Sequence, residues 1–139
     1  LAKELGFDNI ITYENLEDTP VLYKQMTSYI GADKVFLVSG SLTSIPLSTA
    51  CVRDGGSIIV FSSVPSALTV FSNNDIYYRE LVIMGSYSSY PCDLDESLNL
   101  IKDNIIKVDK LVKEYNLDNI NKAIDDTTSN KIIKAYIKL

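Results

Sequence analysis

No histidine occurs anywhere in these 139 residues. That removes the commonest general base and the commonest zinc ligand. A Ser–His–Asp or Cys–His catalytic site cannot be built from this chain alone. Cysteine is nearly as scarce. Cys51 and Cys92 are the only two, and their spacing suits neither a disulfide framework nor a metal-binding pair. Both read as reduced thiols. No apolar run approaches the ~20 residues that cross a bilayer, so no membrane association is expected. The first residues lack a basic stretch followed by an apolar one, so no signal peptide is read and a cytoplasmic location is expected. Positive charge is short as well: 13 Lys and Arg stand against 18 Asp and Glu, for a formal charge of −5. With no basic cluster to offset it, nucleic acid is not an expected partner.

What is present is a globular composition, 46% hydrophobic and 22% charged, in a chain long enough for a real core. Its organising stretch is residues 33–63. Val35-Phe36-Leu37-Val38 and Ile58-Ile59-Val60-Phe61 are apolar without alternation, as in strands covered on both faces of a parallel sheet. Between them, Pro46 sits early in a helix carrying Leu47, Ala50 and Cys51 inward, and Gly55-Gly56 stops it. The strands end in small residues, Ser39-Gly40 and Ser62-Ser63. In open α/β sheets the ligand lies beyond the carboxyl ends of the strands, where small residues permit close approach.

Around this unit the rhythm of strand and helix continues. Leu1-Ala2-Lys3-Glu4-Leu5 reads as a helix end closed by Gly6. Starting at Leu rather than Met, it is expected to be cut from a longer protein. Residues 9–13 read as a short strand. Thr19-Pro20 reads as N-cap and first turn of a helix that buries Leu22, Met26 and Ile30. Pro65 blocks extension of the strand before it. Asn73 or Asn74 caps a short helix, and Leu81-Val82-Ile83-Met84 forms another buried strand ended by Gly85-Ser86. This alternation is the signature of a doubly wound parallel sheet. Beyond it, Asp93 with Glu96 reads as a capping box before a helix that buries Leu94, Leu98 and Ile101. Residues 105–108 and 110–112 read as extended. Leu117, Ile120 and Ile124 mark a last helix ending near Asp126, since carboxylates there oppose the helix dipole. Ile133, Ala135, Ile137 and Leu139 alternate with Lys134, Tyr136 and Lys138 in a final strand.

In this order the residues resemble the C-terminal part of the medium-chain, zinc-type alcohol and polyol dehydrogenases. Ala2-Lys3-Glu4-Leu5-Gly6 resembles the family's Ala-Lys-x-Leu-Gly. Gly31-Ala32-Asp33, an apolar strand and Ser39-Gly40 resemble its Gly-Ala-Asp, strand, Thr/Ser-Gly element. Arg53-Asp54-Gly55-Gly56 and the strand after it resemble its Arg-x-Gly-Gly element. Arg79-Glu80 followed by Ile83, Gly85 and Ser86 resembles its Lys/Arg-Glu-x-x-Ile-x-Gly-Ser segment. Leu117, Ile120 and Ala123 before a Lys-rich strand resemble its ending. The Gly-Ser-Tyr-Ser run is nearest to the sorbitol- and threonine-dehydrogenase-like members.

The resemblance implies an α/β fold: an incomplete Rossmann-type parallel sheet, its first two strands missing, over residues 1–87. Residues 88–139 would then be a C-terminal α+β segment returning to an absent catalytic domain. It implies NAD or NADP and zinc in the parent protein, with no zinc ligand in this chain, where Gly-x-Gly-x-x-Gly is absent too. It implies a small-molecule alcohol, polyol or ketone substrate, a homo-oligomeric parent and no activity of the chain alone. Ser39, Gly40, Phe61, Ser62, Ser63, Gly85, Ser86 and Lys134 become candidate cofactor-binding residues. Ser62 departs from the family, which usually has Gly there, and narrows the cleft. The plainer readings are a strand-to-loop turn for Ser39-Gly40 and a surface lysine for Lys134. Asp93, Asp95 and Glu96 suit capping better than metal, the tyrosines at 77–78 and 87–90 suit packing better than a substrate rim, and no residue qualifies as a catalytic acid or base. Two other readings stand beside this one: a non-catalytic remnant or binding module with an open sheet edge, and a fragment of a zinc-free medium-chain reductase. If the strand at 35–38 lacks its neighbour, it is expected to be an aggregation-prone edge.

Overall fold

A computed structural model describes residues 1–12, 18–41, 43–63 and 71–139. The chain divides into two compact units, Leu1–Ser88 and Ser89–Leu139.

The first unit is a three-stranded parallel sheet, β1 (Ala32–Leu37), β2 (Val52–Val60) and β3 (Val82–Gly85), in that spatial order. Helix α1 (Thr19–Met26) precedes it, α2 (Ser44–Cys51) joins β1 to β2, and α3 (Asn73–Tyr78) precedes β3. Val35, Ile58 and Ile83 stand in register across the sheet. Ile58, Val52 and Leu81 form its core, with Val35 and Phe71 packed against them. Among the described residues only one face is covered. Phe36 and Val38 turn the other way and are 63% and 69% exposed. The continuous apolar run that predicted burial on both faces is therefore half open. β1 pairs with β2 alone among the described residues.

Several local expectations change. Residues 9–12 form no strand, and Tyr13 lies outside the described residues. A strand needs a partner for its N–H and C=O groups, and none of the described strands pairs with residues 9–12. Leu22, Met26 and Ile30 lie exposed rather than buried for the same lack of a covering layer. Thr19 is the first residue of α1 rather than its cap, and Asp18 before it makes no side-chain cap either. Ser72, not Asn73 or Asn74, caps α3 by accepting from the Asp75 N–H at 3.3 Å. In α2 the buried residues are Ile45 and Ser48, while Leu47, Ala50 and Cys51 are half-buried. Pro65 and the rest of residues 64–70 fall outside the described residues.

Gly55-Gly56 does not stop a helix. α2 ends at Cys51, and β2 begins at once, then detours. Ala32 pairs with Val52, but Lys34 pairs with Ser57, so residues 53–56 face a single residue of β1. Gly55, at φ +69°, takes the left-handed turn of this detour. The detour carries two arginine contacts. Arg53 Nε donates to Asp33 at 2.6 Å, tying the starts of β1 and β2. Arg79 donates to Asp54 at 2.7 Å, to the Thr49 carbonyl at 2.9 Å and to the Val52 carbonyl at 2.6 Å. Gly31 packs so tightly here that a Cβ would lie 2.9 Å from the Cys51 carbonyl oxygen.

The second unit holds α4 (Pro91–Lys102), β4 (Val112–Asn116), α5 (Ile120–Thr128) and β5 (Lys134–Lys138). β4 and β5 pair in parallel, Val112 with Lys134 through Asn116 with Lys138. Asp93 does help cap α4, but from inside its first turn, accepting the Tyr90 N–H at 2.7 Å. Leu94, Leu98 and Ile101 form an exposed rather than a buried stripe. Residues 105–108 are not extended strand, and residues 109–111 make a tight turn before β4. α5 runs two residues past Asp126 because that carboxylate is buried and bonded instead of opposing the dipole at the surface. Among the described residues no helix is long and apolar enough to cross a membrane.

Candidate functional site

A parallel sheet sends all its strands out at one rim. Ser39-Gly40 follows β1, Phe61-Ser62-Ser63 follows β2, and Gly85-Ser86 closes β3. The rim is drawn together by continued ladder bonds. The Phe61 N–H donates to the Leu37 carbonyl at 3.0 Å, and the Ser86 N–H to the Val60 carbonyl at 2.9 Å. The first two loops also touch. A Cβ on Gly40 would collide with the Ser63 carbonyl oxygen and lie 3.1 Å from the Ser62 Oγ. Glycine is thus required at 40 by the neighbouring loop. At Gly85 a Cβ would meet nothing within 4 Å, so that end of the rim is open. Phe61 is exposed.

Seven of the eight candidate residues therefore share one rim. The eighth, Lys134, opens β5 in the second unit, exposed and paired with Val112.

Beside Ser39 lies a cavity of about 250 Å³ that the residue pattern did not announce. β1 and α2 line it with Val35, Leu37, Leu47 and Cys51, and Thr19 closes one side. Thr19 is only 8% exposed, and its buried hydroxyl has no hydrogen-bond partner among the described residues. Ser44 and Ser48, four positions apart on α2, also face it. That spacing was the available signal. Burial pushes the Cys51 thiol up, partly offset by Lys24. It is therefore a poor thiolate. Burial, then Cys51 and Asp33, raise Tyr23.

Among the described residues no three His, Cys, Asp or Glu side chains gather as a metal site would require. The rim offers small residues, a glycine already in backbone contact and an open end, but no glycine-rich diphosphate turn.

A parallel α/β half-sheet with a small-residue rim at its carboxyl end defines the class: a partial dinucleotide-type fold. The family follows from comparison. Residues 1–103 match the zinc-binding dehydrogenase family, and the chain belongs to it. It is 28% identical over 139 residues to a D-arabitol-phosphate dehydrogenase of Enterococcus avium, covering 99% of this chain and 39% of that protein. With a sorbitol dehydrogenase of Halalkalibacterium halodurans the identity is 26%, covering 98% and 40%. Among solved structures, a zinc-binding-domain alcohol dehydrogenase of Burkholderia ambifaria superposes with a TM-score of 0.86 at 22% identity, covering 99% of this chain and 38% of that one. The benzyl alcohol dehydrogenase of Acinetobacter calcoaceticus gives 0.81 at 26% identity, covering 99% and 39%. The chain thus spans about two-fifths of the length of the relatives it matches.

Proposed function

We propose that this chain is the nicotinamide-side portion of an NAD(P)-dependent oxidoreductase. That enzyme would move a hydride between the cofactor and a small alcohol, polyol or ketone. The relatives act as a guide to substrate class: one is named for a sugar-alcohol phosphate and another for sorbitol. The observation that carries the reading is the gathering of Ser39-Gly40, residues 61–63 and Gly85-Ser86 on one rim, with Gly40 against the Ser63 carbonyl. The nicotinamide, when bound, supplies the hydride acceptor. Ser39 and Gly40 hold one side of the nucleotide through backbone approach. Phe61 shields the ring side from water, and Ser62 and Ser63 offer hydroxyls in the space that Ser62 narrows. Lys134 contributes a point charge toward the diphosphate. In the whole enzyme, zinc would polarise the substrate oxygen from ligands outside these residues. Residues 88–139 belong, in this reading, to the surface that packs on the catalytic domain.

The test is a hybrid in which this chain replaces the matching segment of the D-arabitol-phosphate dehydrogenase. The hybrid should bind NADH. Lys134→Gln should weaken that binding several-fold, and the weakening should shrink as salt rises. Equal affinity of the two hybrids would remove Lys134 from the site, and a hybrid that folds without binding NADH would remove the rim.

One observation favours a second reading. The free edge of β1, with Phe36 and Val38 exposed beside it, also suits a non-catalytic module that binds through its open sheet. A chain that forms a defined complex through that edge, and whose hybrid has no cofactor affinity, would support it.

A further inference from the structure

The second unit is held by a buried acid. Its buried side chains are Tyr115, Ala123 and Asp126. A carboxylate in so small a core must be compensated to stay there. The Tyr115 hydroxyl, from β4, donates to Asp126 Oδ2 at 2.9 Å. Lys131 Nζ lies 3.6 Å from Oδ1. The Asp126 carbonyl accepts the Lys131 N–H at 2.9 Å and the Ile132 N–H at 3.4 Å. One residue thus grips β4 with its side chain and the turn into β5 with its backbone.

We propose that Asp126 is an acid-sensitive latch that holds β5 in place: protonation releases the last strand, Lys134 included, before the sheet of the first unit gives way. The surroundings support this. From β4, Lys113 sits 5.5 Å from the Tyr115 ring centroid, on the same strand face. From the turn comes Lys131. β5 presents Ala135 and Ile137 inward and no charge, and Asp118 before the helix and Asp125 on it are exposed. The Tyr115 hydroxyl holds the Asp126 carboxyl below the usual carboxylate range against the opposing effect of burial, with help from Lys131 and Lys113. Because the folded value is the lower one, the contribution is complete above about pH 4 and is lost as pH falls through the folded value. Burial, then the bond to Asp126, raises Tyr115. Its contribution is complete below about pH 10 and fades as pH rises through its own folded value. The same bond therefore loses its charge assistance in acid and its donor in base.

The full chain is equilibrated at a series of pH values from 7 to 2.5, pulse-labelled with deuterium, and analysed by peptide mass. The β5 peptide should lose protection in the acid range while the β2 peptide keeps it. Asp126→Asn should unprotect β5 already at pH 7, with β2 intact. Tyr115→Phe should move the acid loss of β5 to higher pH. Loss of β2 and β5 in one step, or a β5 fully protected in Asp126→Asn at pH 7, overturns the latch.

Discussion

Arg79 and Asp54 form an ion pair whose partners differ in what depends on them. Asp54 is 79% exposed at its side chain, Arg79 only 25%. An exposed carboxylate gains little from such a pair, so Asp54→Asn should cost at most about 1 kcal/mol. Arg79 also satisfies the Thr49 and Val52 carbonyls, and Arg79→Met would leave both without it. A loss of about 2–4 kcal/mol is expected. Urea unfolding of the two variants decides it: equal losses would mean that the ion pair, not the carbonyls, is what Arg79 provides. Gly40→Ala tests the rim at the same scale. The new methyl must displace the Ser63 carbonyl, a shift expected to cost about 1–3 kcal/mol. An unchanged urea midpoint would show that the two loops are not in fixed contact. The motif residues divide between the two ends of the sheet: Arg53, Gly55 and Gly56 stand at its amino end, Ser39, Gly40 and Ser62 at its carboxyl end.

At the scale of the element, β1 is where pattern and packing part company. Four apolar residues in a row predicted a strand, and the strand is there. Burial on both faces did not follow, because a strand's second face is covered only by other elements, and here none of the described ones covers Phe36 or Val38. An apolar strand with one free edge invites association with other chains. Phe36→Lys should reduce concentration-dependent association of the chain, read by light scattering, without shifting its circular dichroism. Unchanged association would place the sticky surface elsewhere, for instance on the exposed stripe of α4. Residues 9–12 make the converse point. Their composition favours a strand, but β-propensity is a statement about fit to a neighbouring strand, and none of the described strands pairs with them.

At the scale of the molecule, the chain matches its relatives from end to end yet spans about two-fifths of their length. In the proposed function the rim is one wall of a cofactor cleft, and nothing in the sequence supplies a glycine-rich turn for the diphosphate. NADH fluorescence titrated with the chain alone should show no saturable binding. Micromolar affinity would mean that the rim is sufficient by itself. The two units should also respond differently to acid, since among the described residues the one buried acid, Asp126, lies in the second unit.

Sequence by itself pointed to the parallel α/β class, the succession of three apolar strands along residues 33–85 and the small residues at their carboxyl ends. Those follow from apolar runs, breaks at Gly and Pro, and residue size, all local properties of the chain. Only the tertiary structure decided the rest. It placed Gly40 against Ser63, gave Thr19 a buried hydroxyl in a cavity instead of a capping role, and turned residues 53–56 into a detour built around two arginines. It also made Asp126 a core residue. Each of these depends on what a distant segment brings to the same point, and the Tyr115 hydroxyl that compensates Asp126 lies a strand away, where no local pattern could announce it.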